Sequence, residues 1–382
     1  TAQTTGSRNV AIGHAALDSV TTTIKNVGVG MDALSALTTA DGYNTAVGNG
    51  SSVGLTTGSY NTAVGASTLT AATTASNNTA VGYTALLANT TGSSNNAFGM
   101  NAGKGITTGV RHVTIGNNTM ENGTVAGEDC TAVGHSALNV LTTGDNNTAI
   151  GAYTLDANTT ASNNTAVGHS ALSANTTGTG NTAVGSDTLT VKTTGNSNTA
   201  VGHQALNSAT TANYATAIGQ DAFTALTTGG DNTALGLQTG ATLTTGSGCT
   251  IIGTQSNVSA TGSIKQTVIG VGVTASGDST TTLGYTTTDS TLAHGATTWT
   301  APSDIRLKED IQDEEVGLDF INELRPVTFL WKKEKDVPSD MKAYKEGSEE
   351  RTMNGKYNHG FVAQEVKEVI DKYDLKEGFD MW

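Results

Sequence analysis

The chain has 382 residues, of which 33 are acidic and 19 basic, for a formal net charge of −14; only 14% are charged and 5% aromatic, while 47 are glycine. An acidic balance excludes a nucleic-acid-binding protein, which needs a basic face. No run of 18 apolar residues is present to cross a membrane as a helix. The chain starts at Thr1 with neither an initiator methionine nor a signal peptide, which reads as a fragment or processed form.

From the N-terminus to about residue 284 a five-residue signature, Asn-Thr-Ala-Val-Gly in its commonest form, recurs about every 17 residues. Its glycines run from Gly13, Gly30 and Gly48 to Gly253, Gly270 and Gly284. A period this short means a solenoid, in which each repeat buries its core only against its neighbours. Helical repeats are excluded, because about 17 residues cannot hold two helices and Gly, Thr and Asn are poor helix formers. The expected fold is therefore all-β: a parallel β-roll or β-solenoid of about 17 coils. At about 4.8 Å per coil it makes a rod on the order of 80 Å long.

Within each repeat the residue before the glycine is apolar, as at Val47, Val64, Phe98, Ile150 and Leu235, and this is the predicted core row. Thr45, Thr62 and Thr79 lie two residues earlier and by the period of a strand are predicted to point inward as well. Leu69, Leu86 and Leu138, four residues after a glycine, predict a second short strand. Polar turns such as Thr56-Thr57-Gly58 join the repeats, with glycine expected to supply positive φ.

The asparagine that opens most signatures, as at Asn44, Asn61, Asn78, Asn147 and Asn164, is expected to hydrogen-bond the turn and its stacked neighbours. Cys130 and Cys249 replace it in two repeats. The stacking distance puts them about 34 Å apart, outside disulfide reach. His14, His135, His169 and His203 each follow a signature glycine and read as an exposed polar position rather than a metal or anion row. No phosphate-binding loop, zinc spacing or paired-carboxylate cleft emerges, so neither a metal nor a cofactor is expected.

The signature resembles the head repeat of YadA-type trimeric adhesins, over roughly residues 8 to 284. That resemblance implies a left-handed parallel β-roll with three chains side by side. Composition changes near residue 300. All three prolines (Pro302, Pro326, Pro338) and all three tryptophans (Trp299, Trp331, Trp382) lie there or beyond. The expected organisation is a shaft over 1–287, a linker over 288–301 and a second domain over 302–382. In that domain a helix is predicted over 313–324, stopped before Pro326. A strand over 327–331, an exposed loop or hairpin over 332–356 and a helix over about 363–372 follow.

Four ordered segments carry a second resemblance: Ser303-Asp304-Ile305-Arg306-Leu307-Lys308, Gly317 to Val327, Phe329-Leu330-Trp331-Lys332, and His359 to Val366. Together they closely resemble the endosialidase-type intramolecular chaperone found at the C-termini of phage tail fibres and tailspikes. The resemblance implies self-cleavage by Ser303 and Lys308 at the Pro302–Ser303 bond. The neutral Lys308 amine would take the Ser303 hydroxyl proton as that oxygen attacks the Pro302 carbonyl, giving an ester that water opens. A lysine works as such a base only when burial or a neighbouring cation, here Arg306, lowers its pKa.

Near-identical repeats invite slips of one whole coil, because little side-chain complementarity distinguishes the registers. A C-terminal domain that trimerises first would set that register. The expected function is thus a structural trimeric fibre, a phage tail fibre or appendage serving host-surface attachment, located on the virion or outside the cell. Its partners would be two further copies and a glycan or protein receptor, sought in the least regular stretch, 254–300. A bacterial surface filament or adhesin is the alternative. An ice-binding solenoid is a third reading, opposed by the inward threonines.

Overall fold

The computed structural model describes residues 6–38, 42–286, 289–294, 318–341, 343–352 and 355–373. The chain divides into two compact units, Thr1–Pro302 and Ser303–Trp382.

The first unit is a parallel β-solenoid built on one 18-stranded sheet. Three-residue strands recur once per coil, from β1 (Val10–Ile12) to β15 (Thr250–Ile252). The longer β16 (Thr267–Val271) and β17 (Thr280–Tyr285) follow, and β18 (Ser290–Ala293) turns back antiparallel on β17. The segment read as a linker therefore opens with a strand. Like residues pair across coils, Thr45 with Thr62, Ala46 with Ala63 and Val47 with Val64.

The asparagines set the phase of most strands. Asn61 is buried; its backbone N–H and its Nδ2 both donate to Asn44 Oδ1, at 3.0 and 3.1 Å, and Nδ2 also donates to Ala75 O at 2.9 Å. Asn78 does the same to Asn61 and Gly92, and the pattern repeats along the shaft. With asparagine inward, the alanine two residues later is inward as well. Ala46, Ala63, Ala80 and Ala97 are fully buried.

The threonine and the apolar residue flanking that alanine consequently face outward, which reverses the predicted core row. Phe98 is 42% exposed and Leu235 45%, and Thr45, Thr62 and Thr79 lie on the same outer side. A coil of this width holds only a small residue on the strand, because the opposite leg fills the middle with leucine. At Gly28, which takes the place of that alanine, an added Cβ would sit 3.2 Å from Leu17.

The second predicted strand is not formed. Leu69, Leu86 and Leu138 are fully buried as expected, but each sits in the left-handed region (φ 51° for all three), and so does the residue two before it in each case. Two such residues in succession wind the leg into tight turns. It still bonds the next coil, as Leu69 N–H does to Ala85 O at 3.0 Å. Nor does the glycine of Thr56-Thr57-Gly58 have positive φ; Tyr60 (φ 61°) takes that conformation before the next asparagine, as Asn77 (φ 61°) does one coil on. At the signature itself glycine is obligatory: Gly65 has φ 136°, and a Cβ there would lie 2.5 Å from Gly82 O.

The uniform core is broken at compensated places. Gly240 stands where other coils have leucine; an added Cβ would be 2.4 Å from the Phe223 ring below and 3.1 Å from Ile251 above. Phe223 replaces leucine and Ile251 replaces alanine, so the large side chains occupy the space the glycine leaves.

In the second unit, α1 (Leu318–Glu323), β19 (Val327–Phe329), β20 (Asn358–Gly360) and α2 (Ala363–Lys372) are formed, with β19 and β20 antiparallel. The helix over 363–372 lies where the sequence places it. The loop between the strands is exposed as expected and carries one short 3-10 turn, Glu334–Asp336.

Gly240→Leu restores the commonest residue at its position yet should destabilise the shaft by ~2–3 kcal/mol through overpacking at positive φ. The triple change Gly240→Leu, Phe223→Leu, Ile251→Ala should recover most of the loss. Denaturant midpoints of the three proteins check this, and a single variant as stable as the parent would refute it.

Candidate functional site

Pro302, Ser303, Arg306 and Lys308 lie outside the described residues, so the self-cleavage geometry is not described. Of the rest of that unit much is. Glu323 at the end of α1 accepts from Lys372 Nζ at 2.5 Å and from the Tyr373 hydroxyl at 2.8 Å, and Phe320 meets the Tyr373 ring edge-on at 5.7 Å. Arg325 forks onto Glu365 at the start of α2, and Glu349 accepts from Lys333 and Lys335. The two ammonium groups hold the Glu349 carboxyl down at about 2. Every one of these pairs is at the surface.

Among the described residues of this unit Ile370 alone is buried, whereas Leu318, Ile321, Met341, Tyr357 and Phe361 are each more than half exposed. An apolar groove of about 540 Å³ opens between Trp331, Val337, Pro338, Met341 and Thr352.

The shaft has a corresponding feature. Ile12, Val64, Phe98, Ile115, Ile150, Val184, Ile218, Leu235 and Ile269 are exposed in one outward column. Met31, Tyr83, Met100, Leu237 and Val271 are exposed just beyond the signature glycine. Singly such residues are ordinary surface, but a column one coil apart over the whole shaft is an extended apolar edge.

His14, His135, His169 and His203 are on this outer surface. His135 and His169 flank the Tyr153 ring edge-on, at 5.2 and 5.8 Å, and no cluster of three or more metal-ligating side chains exists among the described residues. The cysteines are free and buried, as read from their position. Cys130 continues the ladder, with Sγ 3.4 Å from both Asn147 N and Gly144 O, and burial pushes its thiol up to about 11.

Residues 303–375 match the family model described as chaperone of endosialidase. No curated protein and no solved structure matches the chain. The chaperone-of-endosialidase segment thus begins at Ser303, where the second compact unit begins.

Two chemically distinctive residues escaped the sequence reading. Lys192 is fully buried in the shaft. His112, also fully buried, occupies the signature asparagine's position in His112-Val113-Thr114-Ile115-Gly116, which is the signal that could have found it. Its Nε2 donates to Gly127 O at 2.8 Å and its Nδ1 accepts from Cys130 N–H at 3.2 Å. Those partners require the neutral ring with hydrogen on Nε2. Burial lowers its pKa below 6.5, against the opposite pull of the Gly127 bond, Asp129 and Asp145.

As pH falls below about 6.5 the unfolded chain therefore takes up a proton that the folded ring does not, and stability is lost toward the folded pKa. His112→Asn, which restores the ladder donor and acceptor, should remove that part of the loss. Denaturant midpoints at pH 7.5 and 5 should fall further for the parent than for the variant; equal falls would refute the assignment.

Proposed function

We propose that the chain is a component of a trimeric fibre on a phage tail or comparable appendage, located on the virion or outside the cell, whose chaperone segment directs assembly. The observation that carries this reading is the apolar edge of the shaft: a column of Val, Ile, Leu and Phe side chains facing outward from a single chain. Burying each of these side chains is worth about 1.5–3 kcal/mol. An identical edge on a second and third copy supplies the complementary surface at the same coil spacing. The C-terminal unit supports the same reading, since its exposed Leu318, Ile321 and Phe361 give it a core only in the company of other copies. Attachment to a glycan or protein receptor on a host surface is the role such a fibre serves; a bacterial filament or adhesin uses the same parts.

The signature threonines share the outward face, so the ground once offered against ice binding is removed. Trimer formation through that face covers them. The assembled fibre is then inactive in an ice-recrystallisation assay, whereas an uncovered face would inhibit crystal growth.

Mass photometry of the intact chain should give three copies. Val64→Asp with Phe98→Asp and Ile150→Asp should leave the β circular-dichroism signal and reduce the copy number. A monomeric parent would refute the trimer.

We assign self-processing to Ser303 as nucleophile and Lys308 as base at the Pro302–Ser303 bond. On a denaturing gel the parent should release a fragment of about 80 residues and Ser303→Ala should not. An uncut parent would refute autoproteolysis without touching the trimer.

A further inference from the structure

The inward position three residues after the core leucine is apolar in most coils, as at Leu37, Leu55, Leu141, Leu226 and Leu243. In one earlier coil it is Asn89, buried with both amide atoms unpartnered, and in three consecutive coils it is Asn158, Asn175 and Lys192, all fully buried. Asn158 is satisfied: its Nδ2 donates to Ala161 O and its Oδ1 accepts from Ala161 N–H, both at 3.1 Å. Asn175 donates to Gly178 O at 3.0 Å, but its Oδ1 has no partner. Lys192 Nζ makes one bond, to Ala212 O at 2.8 Å, and that oxygen already accepts from Asn198 Nδ2 at 2.9 Å.

No carboxylate offsets the ammonium. Asp187, in the same coil as Lys192, and Asp156, two coils before it, are half-buried on outer rows, the two adjacent coils hold no acidic residue, and burial is the only influence on the Lys192 amine. An unpaired buried charge and an orphaned amide oxygen in adjacent coils weaken the core where they sit. The flanking coils carry Leu141 and Ala209 at the same position, both apolar and fully buried.

We propose that the coils over residues 152–212 are a soft joint in the shaft, which opens locally before the coils on either side and does so most readily while Lys192 is protonated. Opening at an internal point is available to a solenoid because each coil touches only its neighbours. It would let the rod bend without unwinding its ends. The proposal concerns one chain's own core and stands whether or not three copies associate.

The sign of the pH dependence follows from the amine. Burial lowers it to about 8, against 10.5 when free. Below about pH 8 both closed and open states hold the proton and opening is easiest. Between there and 10.5 only the open state holds it, so opening becomes harder as pH rises, by up to roughly 300-fold.

Hydrogen exchange read by mass spectrometry on the intact chain tests this. At pH 7, residues 152–212 should be the least protected of the shaft between 101 and 250. Lys192→Met should raise protection there at least tenfold and leave 43–100 unchanged, and Asn175→Leu should act in the same direction should the first variant fold poorly. Corrected for intrinsic exchange, protection of this segment should rise from pH 7 to 9.5 in the parent and not in Lys192→Met. Uniform protection along the shaft, or variants that leave it unaltered, would overturn the joint.

Discussion

One hydrogen-bonded column governs the shaft. Each ladder asparagine accepts from the backbone and side chain of the next and closes the turn of its own coil through Nδ2, so a buried amide stacks on a buried amide. Losing one would leave buried donors without partners, at about 1–3 kcal/mol each. Because strands alternate faces, fixing asparagine inward fixes alanine inward and turns threonine and valine out. His112 and Cys130 are tolerated in the column because each offers an acceptor to the following backbone N–H, and the backbone N–H groups of His112 and Cys249 still donate to the asparagine before them.

The outward apolar edge is thus a consequence of the ladder rather than a defect in the core. A coil that spends its inner face on amide, alanine and leucine has no room inside for the largest apolar residues of its signature. The C-terminal unit reaches the same condition differently. Its helices and strand pair are tied by surface ion pairs, Glu323 with Lys372 and Arg325 with Glu365, while its large apolar side chains stay uncovered. Surface pairs of this kind contribute little, about 0–1 kcal/mol each. Among the described residues both parts carry exposed apolar side chains.

The repeat period, the parallel stacking, the asparagine column and the helix over 363–372 were legible because each rests on spacing or on a residue with one dominant use. The phase of the strand was not. Valine and threonine alternate with alanine, and hydrophobicity alone favours valine as the inward residue; only the amide's need for buried partners reverses that choice. The second leg misled for a related reason. Leu69 and Leu86 look like strand residues, yet they adopt a left-handed conformation that leucine avoids unless the surrounding coil demands it. Buried Lys192 gave no signal, since a lysine in a polar stretch reads as surface until the position three residues after each leucine is compared along all coils. Of the cleavage segment, the sequence motif carries the whole assignment.

In the proposed fibre two kinds of register must be set, and the chain treats them differently. Order among the coils of one chain is imposed by covalent connection, and the core reinforces it with local keys: Gly240 receives Phe223 and Ile251, and Gly103 lies against Leu86 and Ile106. A misplaced coil loses these fits. Order between chains has no comparable key, because the outward column varies chiefly among valine, isoleucine and leucine, with Phe98 its one large exception. A shift of whole coils between copies would keep nearly every apolar contact. In that fibre the face proposed to drive association would therefore be the face least able to specify alignment. Alignment would have to come from a part of the chain with no repeat in it, such as the segment that matches the chaperone-of-endosialidase model.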